Sequence, residues 1–333
     1  MIQFLHHHRR RRHAAPPLLA AAFVGLASLA SAASFTNPLK NPNGSDPHIV
    51  YTGGYYYLTT TTWTNIQLTR ATTIAGLRTA TPTTVWTDST TSRAGNFWAP
   101  ELHWIDSKWW IYYTAGTAEC CGNQRQHVLE GGTTPLSGYA YKARLSAEWG
   151  IDGTILRIGT SMYLVWSRFS PNSLQSLYIA LMSNAYTIGT PYLLSEPTNS
   201  WEVVGGAVNE GPAAMYYGGK TYLAFSASYC WTASYQLGLL TWNGGDPLLS
   251  SSWAKTGPVF SSANGNYGTG HNGFFTSPDG TEIWNVYHAT SASGGACDGN
   301  RYTMAQKVNW SNNVPVFGSA PSLSTTITGP SGE

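Results

Sequence analysis

The sequence has few of the residues that mark several common classes of protein. Only 10% of its 333 residues are charged, and 18 Lys and Arg nearly balance 16 Asp and Glu. Because nucleic-acid-binding proteins need a basic surface, this balance argues against such a partner. No long stretch has helical periodicity, which argues against a helical fold. The HExxH and GxSxG motifs are absent, so zincins and nucleophile-elbow hydrolases have no support.

Long apolar runs are also missing, and the best candidate lies at the N-terminus. Residues 1–32 combine a basic start at Arg9 to Arg12, an apolar run from Leu18 to Ala30 and an Ala-Ser-Ala pattern at 30–32. The run is too short to cross a bilayer, and the combination is typical of a secretory signal peptide. Its removal leaves 14 Lys and Arg against 16 Asp and Glu. We therefore predict a secreted, extracellular protein, with one domain over 33–333 and no nucleic-acid or membrane partner.

Cysteine is scarce as well, with four in the chain. In an oxidising compartment these should pair, and four cysteines allow three connectivities. Cys120 and Cys121 are adjacent, so they either bridge to each other or each reach elsewhere. No CxxC pair or His-rich spacing accompanies them, which argues against zinc. We favour Cys120–Cys121 and Cys230–Cys297.

Residues typical of strands and turns are abundant instead, including 35 Gly, 20 Tyr and 14 Trp. A hairpin pattern recurs five times, each copy with a short apolar strand, a polar or Gly turn and an aromatic-rich strand. The copies begin at Asp46, Ala99, Asp152, Glu210 and His271, spaced 53 to 61 residues apart. Such a long period is typical of propeller blades rather than of a sandwich. The sequence therefore predicts an all-β, five-bladed β-propeller with four antiparallel strands per blade.

Three of the five first residues are acids, namely Asp46, Asp152 and Glu210. One strand of every propeller blade lines the central channel, so equivalent positions should converge there. Any one of these acids alone could simply close a turn. A cluster must repel, however, unless protonation, a metal or chemistry makes use of it. Two carboxylic acids flanking a sugar suffice to hydrolyse a glycosidic bond, and a third can hold up a neighbour's pKa.

Aromatic side chains near these segments could offer apolar faces to a sugar. Any one of them could instead pack between blades. The candidates are Trp63, Phe97, Trp98, Trp104 and Trp166.

Five segments together resemble glycoside hydrolase family 43, whose members are five-bladed propellers. They are "SDPHIVYTGGYYYL", "FWAPELHWIDSKWWIYYTAG", "NEGPAAMYYGGKTYL", "GTGHNGFF" with "YHA", and "NRYTMAQKVNW". The resemblance runs from about Phe35 to about Val316 and keeps the order of the family's motifs.

The resemblance implies hydrolysis with inversion and a role for each matched residue. It implies that Asp46 is the general base, Glu210 the general acid and Asp152 the residue that tunes the acid. It implies that His271 lies near a channel ion or water and that Arg301 approaches the sugar. No cofactor is required on this basis, although a structural Ca²⁺ in the channel, reached by His271 through water, is compatible with it.

Two further segments, "SWEVVGGAVNEGPA" and "QRQHVLEGGTTPLSG", are most similar to secreted exo-acting α-L-arabinofuranosidases. The expected activity is removal of arabinofuranose from α-1,5-linked arabinan of plant cell walls, by a monomer. The alternatives are a β-xylosidase, an endo-arabinanase, a debranching arabinofuranosidase or a sugar-binding propeller without activity.

Overall fold

The computed structural model describes residues 33–333, which form an almost entirely β structure. The predicted signal peptide, residues 1–32, lies outside the described residues. Helix is limited in residues 33–333 to four short 3₁₀ turns, at Ala75–Arg78, Thr91–Arg93, Ser200–Glu202 and Ser250–Ser252. No helix in this part of the chain is both long and apolar enough to cross a membrane.

Five antiparallel sheets form the blades of a propeller, which confirms the predicted fold class. A short strand, β1 (Ser34–Thr36), precedes them. Blade one contains β2 (His48–Thr52), β3 (Tyr55–Thr59), β4 (Ile66–Ala71) and β5 (Thr83–Trp86). Blade two contains β6 (Gly95–Ile105), β7 (Lys108–Gly116), β8 (Arg125–Glu130) and β9 (Ala140–Arg144).

Blade three contains β10 (Ile151–Ile158), β11 (Ser161–Phe169) and β12 (Gln175–Asn184), with its outer edge divided between β13 (Thr187–Ile188) and β14 (Tyr192–Ser195). Blade four contains β15 (Asn209–Tyr217), β16 (Lys220–Ala227), β17 (Gln236–Trp242) and β18 (Trp253–Phe260). Blade five contains β19 (Tyr267–Thr276), β20 (Ile283–Thr290) and β21 (Tyr302–Lys307). A hairpin follows, β22 (Asn309–Ser311) with β23 (Val314–Val316), and then β24 (Thr326–Thr328), which pairs with β1.

The N-terminal segment completes the outer edge of blade five. Lys40 pairs antiparallel with Thr303 of β21. The Asn37 side chain donates to the carbonyl of Ala305 at 3.0 Å and accepts its N–H at 2.9 Å. Because this contact joins the start of the propeller to its last blade, it closes the ring and covers an otherwise open sheet edge.

Buried apolar side chains pack between neighbouring blades. Val165 of blade three packs in one cluster with Leu223 and Phe225 of blade four. Leu58 of blade one shares another cluster with Trp284 of blade five. Burial of one such side chain contributes about 1.5–3 kcal/mol. This packing therefore holds the five blades around one axis.

The first strands of the blades, β2, β6, β10, β15 and β19, contact one another in ring order around the central channel. A left-handed residue lies two residues before β2 and in the first half of each of β6, β10, β15 and β19. These residues are Asp46 (φ 53°), Ala99 (43°), Asp152 (60°), Gly211 (52°) and His271 (43°). In β6, β10, β15 and β19 they lie within a β-bulge, which changes the direction of nearby side chains. Such conformations are costly for residues other than Gly and concentrate at functional sites.

This comparison corrects the alignment of the hairpin repeat in blade four. Gly211, rather than Glu210, takes the left-handed position there, so Glu210 precedes the equivalent of Asp46 by one residue. In blades one, two and four a proline directly follows the left-handed residue, at Pro47, Pro100 and Pro212. Aligning these prolines would have given the correct register.

A side chain of the preceding blade accepts the N–H group of each of these left-handed residues. Four pairs are Asp46 with His288 Nδ1 (3.1 Å), Ala99 with Thr61 Oγ1 (2.8 Å), Asp152 with Thr114 Oγ1 (3.1 Å) and His271 with Ser226 Oγ (2.6 Å). In the fifth, the N–H of Gly211 donates to Asp152 Oδ2 at 3.1 Å. The channel end is thus fixed by polar contacts between blades, in addition to apolar packing.

We expect Thr114→Val to lower the free energy of unfolding by about 1–3 kcal/mol, because it leaves the buried Asp152 N–H without its acceptor. Urea denaturation followed by tryptophan fluorescence measures this loss. Thr84→Val, at an exposed position of β5, is the matched control and should change stability by no more than about 0.5 kcal/mol. Equal effects of the two substitutions would contradict the importance of this contact.

Candidate active site

One end of the central channel opens into a cavity of about 540 Å³. Asp46, Asp152, Glu210, His271 and Arg301 all line it. The propeller therefore brings together five polar residues that lie between 46 and 301 in the sequence, as the hairpin repeat and the family resemblance predict. Four of them expose less than a tenth of their surface, since Asp46 is 8%, Asp152 7%, His271 7% and Arg301 6% accessible.

Asp46 is surrounded by hydrogen-bond donors and positive charge. Thr61 Oγ1 donates to its Oδ2 at 2.6 Å, and Arg301 Nη1 lies 3.4 Å from its Oδ1. The Nδ1 atoms of His271 and His288 each lie 3.3 Å from the same Oδ1. Burial alone would raise the pKa of Asp46, but the charges of Arg301 and His271 hold it well below the ordinary value. Asp46 is therefore ionised at neutral pH.

Glu210 has a different environment, although it lines the same cavity. Gln175 Nε2 donates to its Oε2 at 2.6 Å, and the Tyr235 hydroxyl donates to its Oε1 at 2.8 Å. Burial raises the pKa of Glu210 above its ordinary value, and the charge of Asp46 adds to this effect. His271, Tyr235 and Gln175 act in the opposite direction without reversing the shift. Glu210 therefore holds its proton to higher pH than an ordinary glutamic acid.

Asp152 contacts a residue next to each of these two acids. Its Oδ2 accepts the N–H of Gly211 at 3.1 Å and lies 3.7 Å from His271 Nδ1. Burial raises the pKa of Asp152 to about 8, and the charges of Glu210 and Asp46 act in the same direction. Because the charge of Glu210 raises the pKa of Asp152, the two carboxyl groups together retain a proton near neutral pH.

Two histidines lie next to Asp46, and their pKa values are shifted in opposite directions. Burial lowers the pKa of His271, but the charges of Asp46, Asp152 and Glu210 raise it above its ordinary value overall. Burial and the Arg301 charge lower the pKa of His288 to about 3. His288 is therefore neutral, whereas His271 favours the charged form between two carboxylates.

Comparison with known proteins identifies the family to which this site belongs. Residues 35–315 match the family model described as "Glycosyl hydrolases family 43". This chain belongs to glycosyl hydrolase family 43.

Several family 43 relatives match most of the described chain. The extracellular exo-alpha-(1->5)-L-arabinofuranosidase of Streptomyces avermitilis is 42% identical over 88% of this chain. Alpha-L-arabinofuranosidase 43 of Humicola insolens is 38% identical over 90% of this chain. The match covers 65% and 66% of those two proteins, so this chain spans just under two thirds of their length.

A second exo-alpha-(1->5)-L-arabinofuranosidase, from Streptomyces chartreusis, is 35% identical, and the match covers 81% of this chain and 88% of that protein. Among solved structures, the α-L-arabinofuranosidase from Lactobacillus brevis superposes with a TM-score of 0.81 at 32% identity. That superposition covers 87% of this chain and 98% of the other.

The aromatic residues suggested by the sequence divide between this family 43 site and other parts of the fold. Trp63 and Trp98 line the cavity with the acids. Phe97 does not, because it is 1% exposed in the apolar cluster between blades one and two, stacked on Tyr113. The prediction of Phe97 as a substrate-binding residue is therefore wrong.

Trp166 and Trp104 also lie outside this cavity. Trp166 is fully buried in the cluster between blades two and three, where it packs near Tyr178, so its prediction as a substrate-binding residue is wrong too. Trp104 is 45% exposed and lines a second cavity near the other end of the inner strands.

Sequence reasoning missed the polar residues that hold the acids in place. Gln175 belongs to β12, Tyr235 precedes β17, and neither lies on a channel-lining strand. His288 lies within the "YHA" segment quoted above, but its contact with Asp46 could be seen only once blade five closes against blade one. Thr61 follows β3 of the first hairpin and has no signal of its own in the sequence. These residues lie in or next to the second and third strands of their blades. The hairpin repeat does not define where those strands place side chains relative to the acids.

The structure pairs Cys120 with Cys121 and Cys230 with Cys297, the connectivity favoured by the sequence. All four cysteines line the same cavity as the acids. Cys230 lies between β16 and β17 and Cys297 between β20 and β21. Their bridge therefore joins a loop of blade four to a loop of blade five at the rim of the site.

The residues around His271 do not form a direct calcium cage. Its Nδ1 faces Asp46 and Asp152, and an imidazole is a poor ligand for calcium, which prefers six to eight oxygens. In residues 33–333, the one group of three ligating side chains within 4.8 Å of one another does not include His271. A channel Ca²⁺ reached by His271 through water stays a prediction.

We expect Asp46→Asn to lower the pKa of His271, because the substitution removes the largest charge that favours the imidazolium form. A pH titration of the imidazole NMR signals measures the shift. Asp246→Asn, at an exposed turn, should leave the His271 titration unchanged. An unchanged His271 pKa in Asp46→Asn would show that the Asp46 charge does not control this ring.

Proposed function

We propose that the protein is a secreted, inverting exo-α-L-arabinofuranosidase that removes terminal arabinofuranose from α-1,5-linked arabinan and arabino-oligosaccharides. The observation that carries this proposal is the opposed protonation of two carboxyl groups in one cavity, with the pKa of Asp46 lowered and that of Glu210 raised. Environments that separate two pKa values in this way distinguish a base from an acid. The matched relatives named as arabinofuranosidases support the choice of sugar.

The reaction follows from these proton states. Ionised Asp46 removes a proton from a water molecule as the oxygen of that water attacks the anomeric carbon. Glu210 donates its proton to the glycosidic oxygen as the bond to the anomeric carbon breaks. The attack comes from the face opposite the leaving group, so the released arabinose has inverted configuration.

The remaining cavity residues act through these two. Asp152 lines the same cavity and, with its own pKa raised, tunes and orients the acid Glu210. Arg301 and His271 stabilise the charge of Asp46 and lie where hydroxyl groups of a sugar could accept their hydrogen bonds. Trp63 and Trp98 offer apolar faces to the C–H surfaces of the sugar.

Location and assembly belong to the same proposal. The N-terminal sequence pattern and the relatives named extracellular support secretion. The substrate would then be plant cell-wall arabinan outside the cell, with the protein acting as a monomer and needing no cofactor.

Product analysis tests the activity. We expect linear α-1,5-arabino-oligosaccharides to yield arabinose as the first product, released one unit at a time with inversion seen by proton NMR. Larger first products would indicate an endo-arabinanase, and faster hydrolysis of xylobiose would indicate a β-xylosidase. Retained configuration would contradict the assignment of Asp46 as a base. Glu148→Gln, at an exposed position, should behave like the unmodified protein.

Substitution of the two acids separates their roles. We expect Glu210→Gln nearly to abolish hydrolysis of natural oligosaccharides, whose leaving group needs a proton, and to preserve much of the rate on an aryl arabinoside, whose phenolate leaves unaided. Asp46→Asn should instead lower kcat/KM for both substrates by a similar factor, on the order of 10² to 10⁴. Equal losses on the two substrates for Glu210→Gln would refute its role as the acid. Melting temperatures of both variants control for misfolding.

A further inference from the structure

A second cavity, of about 370 Å³, lies along the channel beyond the acids. Its walls include residues of the first strands of the blades that follow the acids in the sequence. It reaches the surface beside Trp104 and Tyr216, both 45% exposed. Three potential metal ligands line it, namely His48, Glu101 and His103. None of the three takes part in the proposed reaction.

The backbone directs these three side chains to one point. Glu101 and His103 are two residues apart on β6, so both face the channel. His48 begins β2 on the adjacent blade, two residues after Asp46. The candidate ligand atoms of all three side chains lie within 4.8 Å of one another, and His103 Nε2 lies 2.7 Å from Glu101 Oε2.

We propose that His48, Glu101 and His103 bind a divalent transition-metal ion of the zinc type, with a water molecule from the cavity as fourth ligand. Two imidazoles and one carboxylate suit Zn²⁺ or Co²⁺ better than Ca²⁺ or Mg²⁺, which prefer oxygen. Three protein ligands leave one coordination position open. The ion would join blade one to blade two inside the channel.

Binding requires the three side chains to adjust their positions. Tetrahedral ligands about 2.0–2.1 Å from an ion lie about 3.3 Å apart. Glu101 and His103 must therefore separate slightly from their present 2.7 Å hydrogen bond. The ion takes the place of the proton between His103 Nε2 and Glu101, and the neutral His103 ring then carries its proton on Nδ1.

The surroundings impose one cost on binding. The N–H of Leu102 donates to His48 Nδ1 at 3.3 Å. An ion at Nε2 would place the ring proton on Nδ1 and end that hydrogen bond, which weakens binding. The positive charge of Arg157 also lines the cavity, but its guanidinium is exposed and donates to the Trp104 carbonyl at 3.0 Å.

Cobalt substitution tests the site on the whole protein after removal of metals with a chelator. We expect one Co²⁺ per chain to give the intense visible bands of four-coordinate cobalt, and Zn²⁺ to abolish them in competition. His103→Gln should remove the bands and weaken Zn²⁺ binding, measured by calorimetry, by at least about tenfold, since one of three ligands is lost. Zn²⁺ should raise the melting temperature of the unmodified protein more than that of the variant.

Controls separate this site from other histidines. His127→Gln removes an imidazole that lines a different cavity and should leave the cobalt spectrum unchanged. The sequence also contains His6 to His8, so all variants carry the same N-terminus. If His103→Gln does not fold, Glu101→Gln replaces it. The proposal is overturned if the unmodified protein shows no four-coordinate bands, or if His103→Gln binds Zn²⁺ as tightly as the unmodified protein does. Neither result would affect the proposed hydrolase activity.

Discussion

Asp46 and Asp152 are buried and share one cavity with the partly buried Glu210, which brings like charges together where water screens them only weakly. Three carboxylates cannot all remain ionised in such a place without compensation. The protein stabilises one charge with Arg301 and His271, and leaves a proton on the pair formed by Asp152 and Glu210. The same repulsion that destabilises the cluster thus determines which group accepts a proton and which donates one.

The backbone that holds these groups depends on contacts between blades. Asp152 and His271 adopt left-handed conformations, and their N–H groups bind hydroxyl oxygens of the preceding blade. Asp46 binds His288 of blade five in the same way, across the point where the ring closes. Small movements between blades would therefore move the acids relative to one another. The apolar clusters and the contact of Asn37 with Ala305 keep that movement small.

Much of this arrangement follows from the sequence, because a propeller converts a long repeat into a ring. The five hairpins predict five blades, and acids at one repeat position predict a shared cavity. Phe97 and Trp98 show the limit of this reasoning, since neighbouring strand residues face opposite sides. One lies in the apolar core and the other in the cavity. The bulge that contains Ala99 and the twist of the blade determine which of the two side chains faces the cavity. A single sequence specifies neither the bulge nor the twist.

The role of Glu210 as an acid places a requirement on its pKa, and the hairpin repeat does not show how that requirement is met. A general acid must hold a proton before the reaction and release it during the reaction, so its pKa must be raised but not without limit. Burial and Asp46 raise the pKa of Glu210, whereas Tyr235 and Gln175 donate to its two oxygens and favour the ionised form. After proton transfer both oxygens of the carboxylate are therefore stabilised, Oε1 by the Tyr235 hydroxyl and Oε2 by Gln175 Nε2. The two side chains that the sequence did not identify thus limit how far burial raises the pKa of the acid.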